Sequence, residues 1–307
     1  MSILVFSDDL DLSLQLIGKA RELVLENDSK VYAIGKQNTE DYFSHGADIV
    51  FNVDIDEYNL IETRDILKEA IQKSQAEIVI IGATRFGKEL APRVAASLGV
   101  GCMSECTDIF MEGKKVAVQR FTYGGSIISR EHCTSIPTLI TVPPRTFEKL
   151  EPSDRKGQLI ELSYEQTETE TEVIERREKT KSEVDLENAD IIISAGRGFK
   201  DQEDLKILEE LSDILGAQIG CSRPISADLG WMDDWVGISG RKVKPSLYIA
   251  CGISGTIQHI AGIRDSKIIV SINKEEGAGI HRISDYSIVG DIYEVLPALL
   301  RALKKEV

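Results

Sequence analysis

Apolar and polar positions along the first hundred residues follow two rhythms in turn. Ile3–Phe6 is a short apolar run, and a helical spacing with Leu12, Leu16 and Leu23 follows from about Leu10 to Glu26. The pattern then predicts strands at Lys30–Ile34, near Ala47–Val53 and at Glu77–Gly82, a helix at about Tyr58–Ser74 and another near Gly87–Leu98, beside the polar turn Ala83-Thr84-Arg85. The run EIVIIG at Glu77–Gly82 is nearly all apolar, as expected of a strand covered by helices on both faces. Strands and helices in alternation predict an α/β fold.

After Gly101 the helical spacing stops. Thr107–Met111, Lys115–Phe121, Ser126–Arg130 and Thr138–Val142 read as strands without helices between them, with Tyr123-Gly124-Gly125 as a hairpin turn and Gly157–Tyr164 as one more strand. Residues 165–187, EQTETETEVIERREKTKSEVDLE, are charged, threonine-rich and almost free of aromatics. Such a stretch buries too little to offset its ordering entropy, so it is expected to tether two domains, although ETEVIER could form a strand edge.

The α/β rhythm returns at Ala189. Strands are expected at Asp190–Ser194, Gln218–Cys221, Leu247–Cys251, Lys267–Ile272 and near Tyr286–Val289. Helices are expected at about Gln202–Leu215 with Asp201 as N-cap, at Thr256–Ile260 and at Ile292–Lys304, and a long loop runs from Cys221 to Val243. The fold class expected is α/β with two doubly wound domains: residues 1–165 with added antiparallel strands, a connector at 166–187, and 188–307 as a second parallel sheet.

The chain of 307 residues is large enough for two such cores. Its net charge of −15 argues against a nucleic-acid groove or a membrane-surface patch. Most of the acids read as solvated faces. No apolar run approaches the ~20 residues of a membrane span. The start MSILVFSDD lacks a basic region and is not expected to be a signal peptide. Cys102, Cys106, Cys133, Cys221 and Cys251 are odd in number and scattered, which predicts reduced thiols in a cytoplasmic setting. The same scatter, with His45, His132, His259 and His281 far apart in the chain, gives no metal-site spacing, and no catalytic dyad, P-loop or nucleophile elbow is present.

The candidate chemistry gathers at the strand ends of the second half. Gly252-Ile253-Ser254-Gly255 follows a strand and opens a helix, where glycine lets backbone N–H groups approach a phosphate. It is not the dinucleotide fingerprint, and a tight βα turn explains it as well. Gln258 and His259 lie within the first turn of that helix, and His259 can donate to a carbonyl or ring nitrogen, more strongly when charged. Ser222-Arg223-Pro224 stands just past a strand; Arg223 either reaches a ligand or pairs with a surface acid, and Arg197 between two glycines has the same two readings. The loop Val236–Arg241 either makes a surface excursion held by Trp231 and Trp235 or wraps an aromatic ring system with the Ser239 hydroxyl offered to it. Asn273 and Asp291 close neighbouring strand ends; Asp291 suits a ribose or a helix cap equally.

Taken together, SAGRG (Ser194–Gly198), CSRP (Cys221–Pro224), VGISGR (Val236–Arg241), LYIACGISGTIQH (Leu247–His259), SINK (Ser271–Lys274) and SDYSIVGDIYEVLP (Ser284–Pro297) resemble the alpha subunit of electron-transfer flavoprotein. ELAPRVAASLG (Glu89–Gly99), RFTYGGSIIS (Arg120–Ser129) and IPTLITVPPRTF (Ile136–Phe147) extend a looser match over the first half. The resemblance implies an electron carrier rather than a substrate-transforming enzyme. Its second domain would hold FAD and its first would dock a beta subunit. Flavin dehydrogenases would be the donors and a quinone oxidoreductase or similar protein the acceptor. By position it implies Arg223 against the flavin ring, favouring its reduced anionic forms, Ser239 near flavin N5 and His259 at the O2 edge. Ser222, Gly252, Ile253, Ser254, Gly255 and Gln258 would line the flavin and pyrophosphate, Asn273 and Asp291 the adenosine end, and Arg197 the first strand turn. Arg223 is the leading cation beside the ring and His259 the second. Many alpha subunits read QVGQTG where this chain reads WVGISG, so Trp235 and Ile238 replace glutamines and Ser239 keeps a hydroxyl; this version is closer to the nitrogen-fixation and carnitine-type branch. Two further readings remain: a subunit of an NADH-oxidising electron-bifurcating complex, and a non-redox adenine-nucleotide module.

Overall fold

A computed structural model of the chain describes residues 1–24, 29–36, 39–55, 58–113, 115–125, 127–165 and 186–306. The chain divides into two compact units, Met1–Val173 and Ile174–Val307. The tether and the ETEVIER strand edge expected within 165–187 lie outside the described residues except at Glu165, Leu186 and Glu187. Those last two belong to the second unit and not to a solvated connector: Leu186 is buried in its core, and Glu187 pairs with Arg241 at 3.0 Å.

The first unit is built on a parallel sheet. Its elements are β1 (Ser2–Phe6), α1 (Leu10–Leu23), β2 (Lys30–Gly35), α2 (Thr39–Ser44), β3 (Ile49–Asn52), α3 (Leu60–Ser74), β4 (Ile78–Gly82), α4 (Arg85–Leu98) and β5 (Cys102–Met103). Then come β6 (Cys106–Glu112), β7 (Lys115–Thr122), β8 (Ile127–His132), β9 (Thr138–Val142) and β10 (Gln158–Glu161). The sheet order is β10-β3-β2-β1-β4-β9-β5, every pair parallel. Strand alternation splits the core: Ile3 and Val5 pack with α1 residues such as Leu16, while Leu4 and Phe6 pack with Ile66 of α3 and Leu90 of α4. Each long helix starts on a side-chain cap: Asp9 accepts from Leu12 N at 2.8 Å, Asn59 from Glu62 N at 2.9 Å and Thr84 from Gly87 N at 2.9 Å. β6, β7 and β8 form a separate antiparallel sheet, with the expected hairpin at Tyr123–Gly125 pairing Thr122 with Ile127. β9, expected in sequence with those hairpins, instead joins the parallel sheet beside β4. Its five residues are all buried, which suits a strand with two covered faces.

The second unit contains β11 (Ile191–Ala195), α5 (Lys206–Leu215), β12 (Gln218–Cys221), β13 (Leu247–Cys251), α6 (Ile257–Ile263), β14 (Ile268–Asn273), β15 (Tyr286–Val289) and α7 (Ile292–Glu306). The order β12-β11-β13-β14-β15 is wholly parallel. Leu208 and Leu211 of α5 and Leu296 of α7 pack on Ile193 and Ile272, and Ile263 of α6 packs with Ile192 and Tyr248. The helix expected from Gln202 begins as a 3-10 turn, Gln202–Leu205, before the α-helix proper. Asp201 N donates to Asp204 Oδ2 at 3.3 Å in that turn. Among the described residues no helix is long and apolar enough to cross a membrane.

Candidate functional site

The site follows from the strand order of the second unit. From β11 the chain passes to β12 on one side and returns to β13 on the other. The strand order therefore reverses at β11 and β13, and a crevice opens beyond their carboxyl ends, over the loops that leave them. The two loops are stitched by backbone: Gly196 N donates to Cys251 O at 2.8 Å and Gly198 N to Gly252 O at 3.1 Å. No side chain fits between them. A Cβ on Gly196 would stand 2.2 Å from Gly252 O, and one on Gly252, whose φ is +67°, would stand 2.8 Å from Gly198 Cα.

Beyond Gly252 the backbone N–H groups of Ile253, Ser254, Gly255 and Thr256 donate to no protein acceptor among the described residues. Four successive free donors at a strand end form a concavity suited to an anion. Asn273, 8% exposed, braces it: Nδ2 donates to Ile253 O at 2.7 Å and Oδ1 accepts from Glu275 N at 2.9 Å. Gly255 has φ +77°, and a Cβ there would meet Ile280 N at 2.1 Å.

The long loop after β12 is anchored, and it also reaches the crevice. Trp231 and Trp235 pack on the core of the unit, Val236 is buried, and short bridges link Ser222 with Val236 and Val236 with Arg241. Ile238 N donates to Gln258 O at 2.9 Å, which brings Ile238 and Ser239 beside α6. The indole N–H of Trp235 donates to Ser239 Oγ at 3.3 Å. Arg223 is exposed, with its guanidinium over the Trp235 ring, and it makes no ion pair among the described residues. Arg197 is likewise exposed and unpaired among them.

His259 is 5% exposed, and its Nε2 lies 3.0 Å from the Tyr248 hydroxyl. Burial pushes its pKa down to about 4; the Val236 backbone acts in the opposite sense but forms no regular hydrogen bond with Nδ1, which is left without a partner. The expectation of His259 as a second cation is corrected by this burial: the ring is neutral near pH 7, and Arg223 remains the cation of the two.

Asp291 takes the helix-cap role of the two expected. Its Oδ1 accepts from Tyr293 N at 2.9 Å and so starts α7, and the exposed residue also lines the crevice. The crevice is a cavity of about 450 Å3. Arg197, Ser222, Arg223, Ile238, Ser239, Gly252, Ile253, Ser254, Gly255, Gln258, His259, Asn273 and Asp291 all line it. Lys200, Trp235, Lys274 and Tyr293 line it as well, and the sequence reading had not singled them out as site residues. Lys200 and Lys274 each stand close behind a strand end, a signal available in sequence. Tyr293 was hidden by its place on a helix. Its hydroxyl accepts from Lys200 N at 2.8 Å and donates to Asp204 at 2.5 Å, so the ring is held at the rim.

Comparison with known proteins decides the family. Residues 185–264 match the electron transfer flavoprotein FAD-binding domain, and residues 9–167 match the electron transfer flavoprotein domain. The alpha subunit of an electron transfer flavoprotein from Thermoanaerobacterium thermosaccharolyticum is 35% identical, over 96% of this chain and 94% of that one. This chain belongs to the electron transfer flavoprotein alpha subunit family. FixB of Azotobacter vinelandii is 34% identical over 95% of this chain and 86% of its own length. Subunit LctC of the lactate dehydrogenase (NAD(+),ferredoxin) of Acetobacterium woodii is 35% identical over 94% and 72%. These near-equal identities do not separate one branch of the family from another.

FAD is the cofactor that the family domain implies, and the crevice fits it. The free N–H run from Ile253 to Thr256 suits a pyrophosphate, the two unpaired guanidiniums suit an electron-rich group, and His259 Nδ1 is a buried polar atom still lacking a partner. A cavity of about 450 Å3 is also of ordinary ligand size.

Proposed function

We propose that this chain is the FAD-holding subunit of a heterodimeric electron carrier. An electron transfer flavoprotein beta subunit, docked on residues 1–165, would complete it. Electrons would arrive from flavin dehydrogenases and leave to a quinone oxidoreductase or similar acceptor. The observation that carries the reading is the convergence, in one crevice, of four free backbone donors, two unpaired arginines and a buried neutral histidine. Bound FAD supplies the redox chemistry. The chain's part is to bind, orient and tune. Residues 253–256 hold negative charge with backbone N–H groups, Arg223 stabilises negative charge added at the ring, Ser239 and His259 offer neutral hydrogen-bonding groups, and Asp291 Oδ2 is available for a hydroxyl. The five free thiols support a reducing, cytoplasmic setting.

A visible spectrum of the protein co-purified with its beta partner, taken after desalting with excess FAD, tests this. The expected result is stoichiometric flavin absorbance; a colourless heterodimer rejects the reading, and one retaining AMP instead would favour the nucleotide module.

A second reading has its own support in LctC, whose name couples NAD(+) to ferredoxin. On that reading the chain serves an NADH-oxidising, electron-bifurcating complex. NADH oxidation by the purified heterodimer with a low-potential acceptor supports it, and no oxidation above buffer leaves the simple carrier.

A further inference from the structure

The loop from Trp235 to Val243 is fastened to α6 at two points. Ile238 N donates to Gln258 O at 2.9 Å, and Val243 N donates to Gly262 O at 2.9 Å. The two carbonyls are four residues apart, so they lie one above the other on a single face of the helix. Gly262 O belongs to the last turn of α6, where carbonyls lack a donor from within the helix, and the loop supplies one. Between its fastenings the loop closes on itself: Gly240 N donates to Gly237 O at 3.0 Å and Gly237 N to Arg241 O at 3.0 Å. A turn closed in this way moves as one piece, and it carries Ile238 and Ser239 of the crevice lining.

The contact between loop and helix is backbone on backbone. A Cβ on Gly262 would stand 2.5 Å from Gly237 Cα, 2.7 Å from its N and 3.0 Å from its carbonyl carbon. On the loop side, Gly237 has φ +152°, and a Cβ there would meet Gln258 O at 3.2 Å. Carbon atoms not bonded to each other rest at roughly 3.5–4.0 Å, so a methyl at residue 262 would lift the loop from the helix by about 1 Å. Alanine is the better helix former, so glycine stands here against the local preference of α6. Gly262 is buried and is not part of the crevice lining.

We propose that Gly262 is a positioning residue: it sets the distance between the Val236–Arg241 loop and α6, and through the loop it sets how far Ile238 and Ser239 reach into the crevice. A binding constellation tolerates displacements of only about 0.5 Å, so a lift of about 1 Å is enough to disturb whatever these two residues touch. That they touch the flavin rests on the reading of the crevice as a FAD site; the register of the loop on the helix does not.

The test compares full-length wild type, Gly262→Ala and Gly216→Ala, each without and with FAD. Gly216 lies outside the lining, and its alanine variant carries backbone strain alone. Gly262→Ala is expected to hold FAD about tenfold more weakly and to change the visible circular dichroism of the bound flavin. The Ile238 and Val243 amides are expected to exchange with solvent at least about tenfold faster than in wild type. Gly216→Ala is expected to leave all three unchanged. Wild-type affinity and flavin circular dichroism in Gly262→Ala overturn the proposal, and so does an equal change in Gly216→Ala. Should Gly262→Ala not fold, amide exchange of the FAD-free wild type decides: protection of Ile238 and Val243 matching that of α6 supports the register, and exchange at the rate of an open loop overturns it. If wild type holds no FAD, the function reading fails, and the same amide exchange still decides the register.

Discussion

The guanidinium of Arg223 lies over the indole of Trp235, 6.0 Å from the ring centre. The pairing holds a cation in the lining of the crevice without neutralising it, because an aromatic face attracts a cation and contributes no countercharge. A cation ~4 Å from a charge added to the flavin is worth about 1 kcal/mol in a water-like medium and about 4 kcal/mol at an effective dielectric near 20. For a one-electron couple these correspond to roughly 40 and 170 mV. Arg223 is exposed, so the lower half of that range applies. Arg223→Ala is expected to retain FAD and lower the first reduction potential by several tens of millivolts, with Arg223→Lys recovering part of the loss. Potentiometric titration checks this, and an unchanged potential removes Arg223 from the role.

Burial of His259 makes stability depend on pH. Its folded pKa of about 4 lies below the ordinary 6.5, so the unfolded chain binds the extra proton first. The contribution is fully present above about pH 6.5 and is lost as pH falls toward 4, by at most about 3 kcal/mol. Denaturant midpoints measured from pH 7.5 to 4.5 should fall more steeply for wild type than for His259→Gln. Parallel curves contradict the assignment.

The stitched glycine turns make a sharp comparison possible. Gly252 and Gly216 share nearly the same φ, +67° and +62°, but a Cβ on Gly216 meets nothing within 4 Å. Gly216→Ala is expected to cost about 1 kcal/mol from backbone strain alone. Gly252→Ala should cost about 1–3 kcal/mol more, because the contact with Gly198 must open, and should weaken FAD retention as well. Thermal melts and FAD titration read the two effects separately.

In the first unit, Asp48 joins two segments far apart in sequence. Arg21 Nη2 lies 2.6 Å from its Oδ2 and Arg155 Nη2 2.6 Å from its Oδ1, while Val31 N donates to it at 2.9 Å. Burial opposes ionisation here, but the Val31 N–H and the two guanidiniums outweigh it and hold the pKa below the ordinary 3.8. The stabilisation is therefore complete at neutral pH and is lost only as pH falls through that lowered value. Asp48→Asn should destabilise the first unit by about 1–3 kcal/mol at pH 7, measured by chemical unfolding.

The parallel sheets were legible because runs such as EIVIIG and IIVSIN carry apolar side chains on both faces. The site was legible as a set of turns at strand ends, since glycine, serine and arginine cluster there. Three features were not. Helix α2 has six residues with only Tyr42 buried, too short for a period to show. The placement of β9 depends on a partner, β4, that lies more than fifty residues earlier, although TLITV itself has the unbroken apolar character of a parallel strand. The charge state of His259 depends on its burial, and its Nε2 meets Tyr248, eleven residues away on another element; no local pattern reports such surroundings.

The lining of the crevice comes from one continuous stretch, Arg197 to Tyr293. The redox group would then travel with a single heritable cassette. On the proposed docking of the beta subunit to residues 1–165, recombination upstream would exchange the companion while the crevice is inherited intact.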